Sequence, residues 1–261
     1  MGRVREAAEV LPHEGGADAG GVGRADGVFA GPLRVGGAGE AAGEGGVHGA
    51  GGGSDGGGGV LEELQEEVDR AQLPAFFRDF ATLEADAVSR LSYDPMLIPG
   101  LLQTEEYARA LISANCPPLA DETMDQHVTA RLARQALLTR QKPPVAFIFI
   151  IEEATLHRRI GGREVLQRQL RKLVEHAKLR NVEIQILPTA AAAHCGLDGH
   201  MVLLEGADRK QIVCLESQGR VIATSSGDAV SDYRHRYGSL LTKALDTERS
   251  IRLIEQVARD L

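Results

Sequence analysis

The first 59 residues constrain this chain most: 22 of its 31 glycines lie there, and with ten alanines these two residue types fill more than half of the segment. Glycine loses the most backbone entropy on ordering and brings no side chain to bury in return, and the only aromatic before Val60 is Phe29. The expectation is a disordered Gly/Ala-rich segment over residues 1–59 and one folded domain over residues 60–261. Roughly 200 residues is ample for a hydrophobic core.

Charge and cysteine content narrow the partners. Four Arg against eight Asp plus Glu give the first segment −4 of the chain's −8, so neither part has the bulk basic charge of a nucleic-acid binder. Three widely spaced cysteines, Cys116, Cys195 and Cys214, make neither a disulfide framework nor paired metal ligands and fit a reducing cytoplasm. The longest strongly apolar run, Val145–Ile151, is far shorter than the roughly 20 residues a bilayer needs.

Periodicity sets out an α+β domain: a helical N-terminal half, a mixed sheet containing an antiparallel meander, and two closing helices. A helix is expected over Leu61–Leu73. A second follows Pro74, with Phe76, Phe80, Leu83, Ala87 and Leu91 on one face, Glu84 on the surface, and Tyr93-Asp94-Pro95 as its end. Thr104 before Glu105-Glu106 is an N-cap with an acidic first turn. Residues 121–140 read as a long helix, VAFIFII at 145–151 as a buried strand, and 163–179 as a helix. VEIQILP at 182–188, HMVLLEG at 200–206, QIVCLES at 211–217 and RVIATS at 220–225 read as strands, with helices from about Asp228 and Ser250.

The loop Leu97-Ile98-Pro99-Gly100-Leu101-Leu102-Gln103-Thr104 stands out, because a Pro-Gly pair flanked by aliphatics belongs to a loop that is buried or touches a partner. His194, Cys195 and His200 have the donor types of a zinc site, but no fourth ligand follows from the spacing, and Gly196 and Gly199 make a turn the simpler reading. No metal and no cofactor is expected. No nucleophile elbow, cysteine-protease signature or phosphate loop is present, so no catalytic residue is assigned and no cleft of perturbed titratable groups is expected. The arginines of 131–140 and 158–171 alternate with acids and read as a solvated face.

Taken together, LEADA around Glu84, IPGLLQTEEYARAL, ARLARQALLTR, IEEATLHRRIGG, VEIQILP and HCGLDGH occur in one order from about Leu73 to Leu261. That order resembles the actinobacterial C-terminal domain of unknown function that follows Xre-type helix-turn-helix domains in WhiJ-like, antitoxin-like transcriptional regulators. The matching positions are Pro99 to Thr104, Tyr107 and Ala108; Arg131, Arg134 and Gln135; Glu153, Leu156, Arg158, Gly161 and Gly162; and His194, Gly196, Gly199 and Glu216. The chain departs from the family in carrying Cys214 where an aromatic is common, and in having no helix-turn-helix pattern before Val60.

The resemblance implies a regulatory domain that dimerises and binds a small-molecule effector or a small co-encoded protein, with DNA contacted only if a helix-turn-helix domain is restored. The alternative is an antitoxin-like interaction protein without DNA binding. Candidate contact surfaces are Leu97 to Thr104, the His194–Gly199 turn, and Glu216. Residues 1–59 are either a genuine linker or GC-rich DNA translated in the wrong frame. The abrupt change at Val60 favours the second, and reading the other frames for a helix-turn-helix decides it.

Overall fold

The computed structural model describes residues 75–217 and 220–261, so the disordered segment expected over 1–59 and the helix expected over 61–73 lie outside the described residues. Among the described residues, a six-stranded sheet carries six α-helices and several 3-10 turns. Helix α1 (Ala75–Asp86) leads into β1 (Ala87–Asp94), and α2 (Glu105–Ser113) and α3 (Asp121–Ala133) carry the chain to β2 (Ala146–Glu152). Then α4 (Arg163–His176) precedes β3 (Val182–Leu187), and β4 (Met201–Gly206), β5 (Gln211–Ser217) and β6 (Arg220–Thr224) form the meander. Helices α5 (Gly227–Leu241) and α6 (Thr247–Asp260) close the fold.

The strand order is β3-β2-β1-β4-β5-β6. β1, β2 and β3 are mutually parallel, while β4 runs antiparallel to β1 and the meander continues antiparallel. Helical crossovers join the parallel strands, as parallel pairing requires, a longer connection over 188–200 leads from β3 to β4, and short turns join β4, β5 and β6. No helix among the described residues is long and apolar enough to cross a membrane.

The principal correction to the sequence reading is at β1. Ala87 and Leu91 extend the apolar face of α1 at a spacing of four, but that spacing fits an alternating strand equally well. The chain leaves the helix after Asp86, and β1 takes the middle of the sheet, with both edges paired. Arg140 holds the junction by donating to the carbonyls of Ala85 and Ala87. The helix expected over 121–140 turns 3-10 at Arg134–Thr139, and that expected over 163–179 ends at His176.

Each face of the sheet has its own core. On one, Phe147, Phe149 and Ile151 of β2 and Ile184 and Ile186 of β3 pack beneath Leu166, Leu170 and Leu173 of α4 and Ile254 and Val257 of α6. On the same face, Val202, Leu204 and Cys214 pack against Phe80 and Leu83 of α1. The other face sets Tyr93, Ile150, Met201, Leu203 and Val213 under Val230, Tyr237 and Leu240 of α5. Between the two clusters of the first face lie the polar residues of β1, Arg90, Ser92 and Asp94, in register with Phe147, Phe149 and Ile151.

Candidate functional site

A cleft of about 830 Å³ opens at the carboxyl end of β1, within the size range of small-molecule sites. It stands where the sheet changes from the parallel to the antiparallel half, next to the carboxyl ends of β1 and β2. Open α/β sheets place ligands at such a switch of strand order because the loops on either side diverge there.

Arg90 and Asp94 line the cleft and belong to a hydrogen-bonded chain built from the alternation of β1. Arg90 Nε donates to Glu84 Oε1 at 2.9 Å, Arg90 Nη1 to Ser92 Oγ at 2.8 Å, and Ser92 Oγ to Asp94 Oδ2 at 2.6 Å. His200 Nε2 meets the other oxygen of Asp94 at 3.2 Å, and its Nδ1 is buried with no partner among the described residues. The second Glu84 oxygen accepts from Arg134 Nε at 2.8 Å and Nη2 at 2.6 Å. Glu84 is only 1% exposed, so the sequence reading that put it on the surface is corrected: it is the buried counter-ion of two arginines.

A second group lines the cleft on the β2 side. Tyr93 donates its hydroxyl to Glu152 Oε1 at 2.7 Å, and His194 Nε2 lies 3.3 Å from the same oxygen. His194 Nδ1 accepts from the Gly196 N–H at 3.2 Å, which leaves the ring proton on Nε2, facing Glu152. Gly196 admits this packing because a Cβ there would lie 2.5 Å from Tyr93 Cζ. Gly199 has φ +123°, a conformation that side chains resist.

The two surfaces read from the sequence therefore meet, since Leu97, Ile98, Pro99, Gly100 and Gln103 line the cleft together with His194, Gly196, Gly199 and Glu216. Leu101, Leu102 and Thr104 do not. Both leucines are fully buried in the core against α4, and Thr104 caps α2 by accepting from the Tyr107 N–H. Gln169, fully buried on α4, locks this turn by donating to the Leu102 carbonyl and accepting from the Thr104 N–H, each at 2.7 Å.

The solvated-face reading fails for Arg131, Arg134 and Arg140. Arg131 and Arg134 line the cleft half-buried, with Arg131 Nη1 donating to Gln103 Oε1 at 3.0 Å, and Arg140 fixes the α1–β1 junction. The expectation of no cleft with perturbed groups also fails. Burial raises the Tyr93 phenol, helped by its bond to Glu152, and burial pushes the Cys214 thiol up to about 11. Burial lowers Arg131, and the like charge of Arg134 adds to the effect. The Tyr93 and Cys214 shifts hold phenol and thiol protonated, which suppresses nucleophilicity at both.

His194, Cys195 and His200 part company. The two imidazoles face different carboxylates, and Cys195 Sγ lies 3.3 Å from the Arg236 carbonyl oxygen, to which it donates. Among the described residues no three His, Cys, Asp or Glu side chains are grouped to hold a metal ion. Arg90 and Asp94 on one face of β1, and Tyr93 on the other, escaped the sequence reading because their alternation is visible only once residues 87–94 are read as a strand.

A family model described as a domain of unknown function, DUF5753, matches residues 77–256, more than half of the chain. No curated protein matches it.

Proposed function

The chain belongs to the DUF5753 family, and on that premise we propose that its folded part is the regulatory domain of an Xre-type transcriptional regulator of the WhiJ-like kind, receiving an effector in the cleft and acting as a dimer in the cytoplasm. One observation carries the reading. Two segments nearly a hundred residues apart, Leu97 to Gln103 and His194 to Gly199, close over one cleft whose lining residues Arg90 and Asp94 are already hydrogen-bonded. A ligand held between two such segments binds best when they are in one relative position, and that difference in affinity is what a switch needs. On this reading DNA is contacted only if a helix-turn-helix domain is restored, because the chain's −8 charge does not favour phosphate.

A second reading, an antitoxin-like protein that captures a small co-encoded partner without binding DNA, draws support from Met96 and Leu197, which line the cleft at 59% and 71% exposure. Small molecules that raise the melting temperature of the full chain are to be tested by light scattering. A ligand that also shifts the monomer–dimer balance, and loses its effect when Gly100→Leu narrows the cleft beside Arg131 and Arg134, supports the regulatory reading. Ligands that bind and leave the oligomeric state unchanged overturn it. Capture of the co-encoded protein without operator binding establishes the second.

A further inference from the structure

The cleft's charges are unevenly matched. Arg90 and Arg134 share the buried Glu84, each within 2.9 Å of one of its oxygens. Arg131 has no carboxylate within 4.0 Å among the described residues. Its Nη1 is taken by the neutral amide of Gln103, and its Nε is buried without a hydrogen-bond partner among the described residues. Among the described residues the carboxylate that favours the Arg131 charge from a distance is the exposed Glu216, beyond ion-pair reach, while the like charge of Arg134 opposes it. A half-buried guanidinium fixed by an amide and left without a counter-ion is a seat for an anion, since an incoming acceptor gains charge and hydrogen bonding together.

The surroundings choose the anion. A dianion such as phosphate would face Asp94, Glu152 and Glu216 around the same cleft with, among the described residues that line it, Arg131 as the guanidinium not paired to a carboxylate, whereas a single negative charge is matched by Arg131 alone. Leu97, Met96 and Leu197 also line the cleft, and the last two are largely exposed, so the rim offers hydrocarbon contact. We propose that the cleft receives a small apolar monocarboxylic acid, its carboxylate on Arg131 and its hydrocarbon against Met96 and Leu197. The inference rests on the reading of the cleft as an effector site and specifies the effector's class.

Octanoate, octanamide, acetate and inorganic phosphate, titrated calorimetrically into the full chain, test it. Octanoate is expected to saturate, with octanamide at least about tenfold weaker, the value of charge-assisted hydrogen bonds. Arg131→Gln should bring octanoate down to the affinity of octanamide and leave octanamide unchanged, which a misfolded variant would not do. Glu216→Gln should tighten octanoate alone, by about two- to fivefold, as removal of a screened like charge does. The proposal falls if octanoate fails to saturate, binds no better than octanamide, weakens in parallel with octanamide in Arg131→Gln, or is displaced by phosphate. Octanamide binding as tightly as octanoate removes the acid and leaves the cleft a ligand site, so the regulatory reading survives that outcome.

Discussion

Glu84 shows how far burial decides the weight of a charged residue. Its two oxygens hold Arg90 and Arg134, whose side chains are 5% and 15% exposed, and the two guanidinium groups lie over the Phe149 and Phe80 rings. Removing the carboxylate takes from Arg90 its one carboxylate partner among the described residues and from Arg134 a bidentate one, in a poorly hydrated site, so Glu84→Gln is expected to cost about 3–5 kcal/mol, read from the urea midpoint. The surface pair of Arg109 with Glu105 is the contrast: both side chains are over 40% exposed, and Glu105→Gln should leave the urea midpoint nearly unchanged. Both acids look alike in the sequence, where each is a glutamate in a helical stretch. Only the neighbours supplied by β1 and by the 3-10 turn after α3 distinguish them.

At the scale of elements, the turn from Pro99 to Thr104 joins the cleft to the core. Gly100–Leu102 forms one 3-10 turn that sends Leu101 and Leu102 inward, Gln103 bonds the Ile98 carbonyl and Arg131, and Thr104 starts α2. Thr104→Ala removes the acceptor for the Tyr107 N–H and is expected to cost about 1 kcal/mol, measured as a shift in melting temperature. Gln169→Leu should cost more, because the Leu102 carbonyl and the Thr104 N–H both lose their partner. The N-cap at Thr104 is written locally, as an oxygen-bearing side chain before two acids, and was legible. Gln169 was not, since a glutamine sixty-five residues away carries no local sign of the turn it closes. The α1–β1 boundary was misread for the same kind of reason: a spacing of four suits helix and strand alike, and pairing with β2 and β4 settles it.

For the whole molecule, pH stability follows from buried imidazoles. His176, at the end of α4, is 9% exposed with Nε2 unpartnered, and burial together with Lys172 lowers its pKa below the ordinary 6.5; burial and Arg131 do the same to His127. Below pH 6.5 the unfolded chain takes up protons that the folded chain still refuses. Stability is therefore fully present above that value and lost as pH falls toward the lower folded pKa. Urea midpoints from pH 7.5 to pH 5, as a range chosen around that transition, should fall for the wild type and fall less for His176→Gln. By itself the sequence determined the α+β class, the meander, most helices, and the two irregular segments that border the cleft as loops, because hydrophobic period, turn residues and caps act over a few neighbouring positions. Only the tertiary structure decided that residues 87–94 form a central strand, that both loops border one cleft, and that Arg131 lies there without a counter-ion among the described residues. Those outcomes depend on which distant segments pair and on what burial removes from water, and no local pattern encodes either.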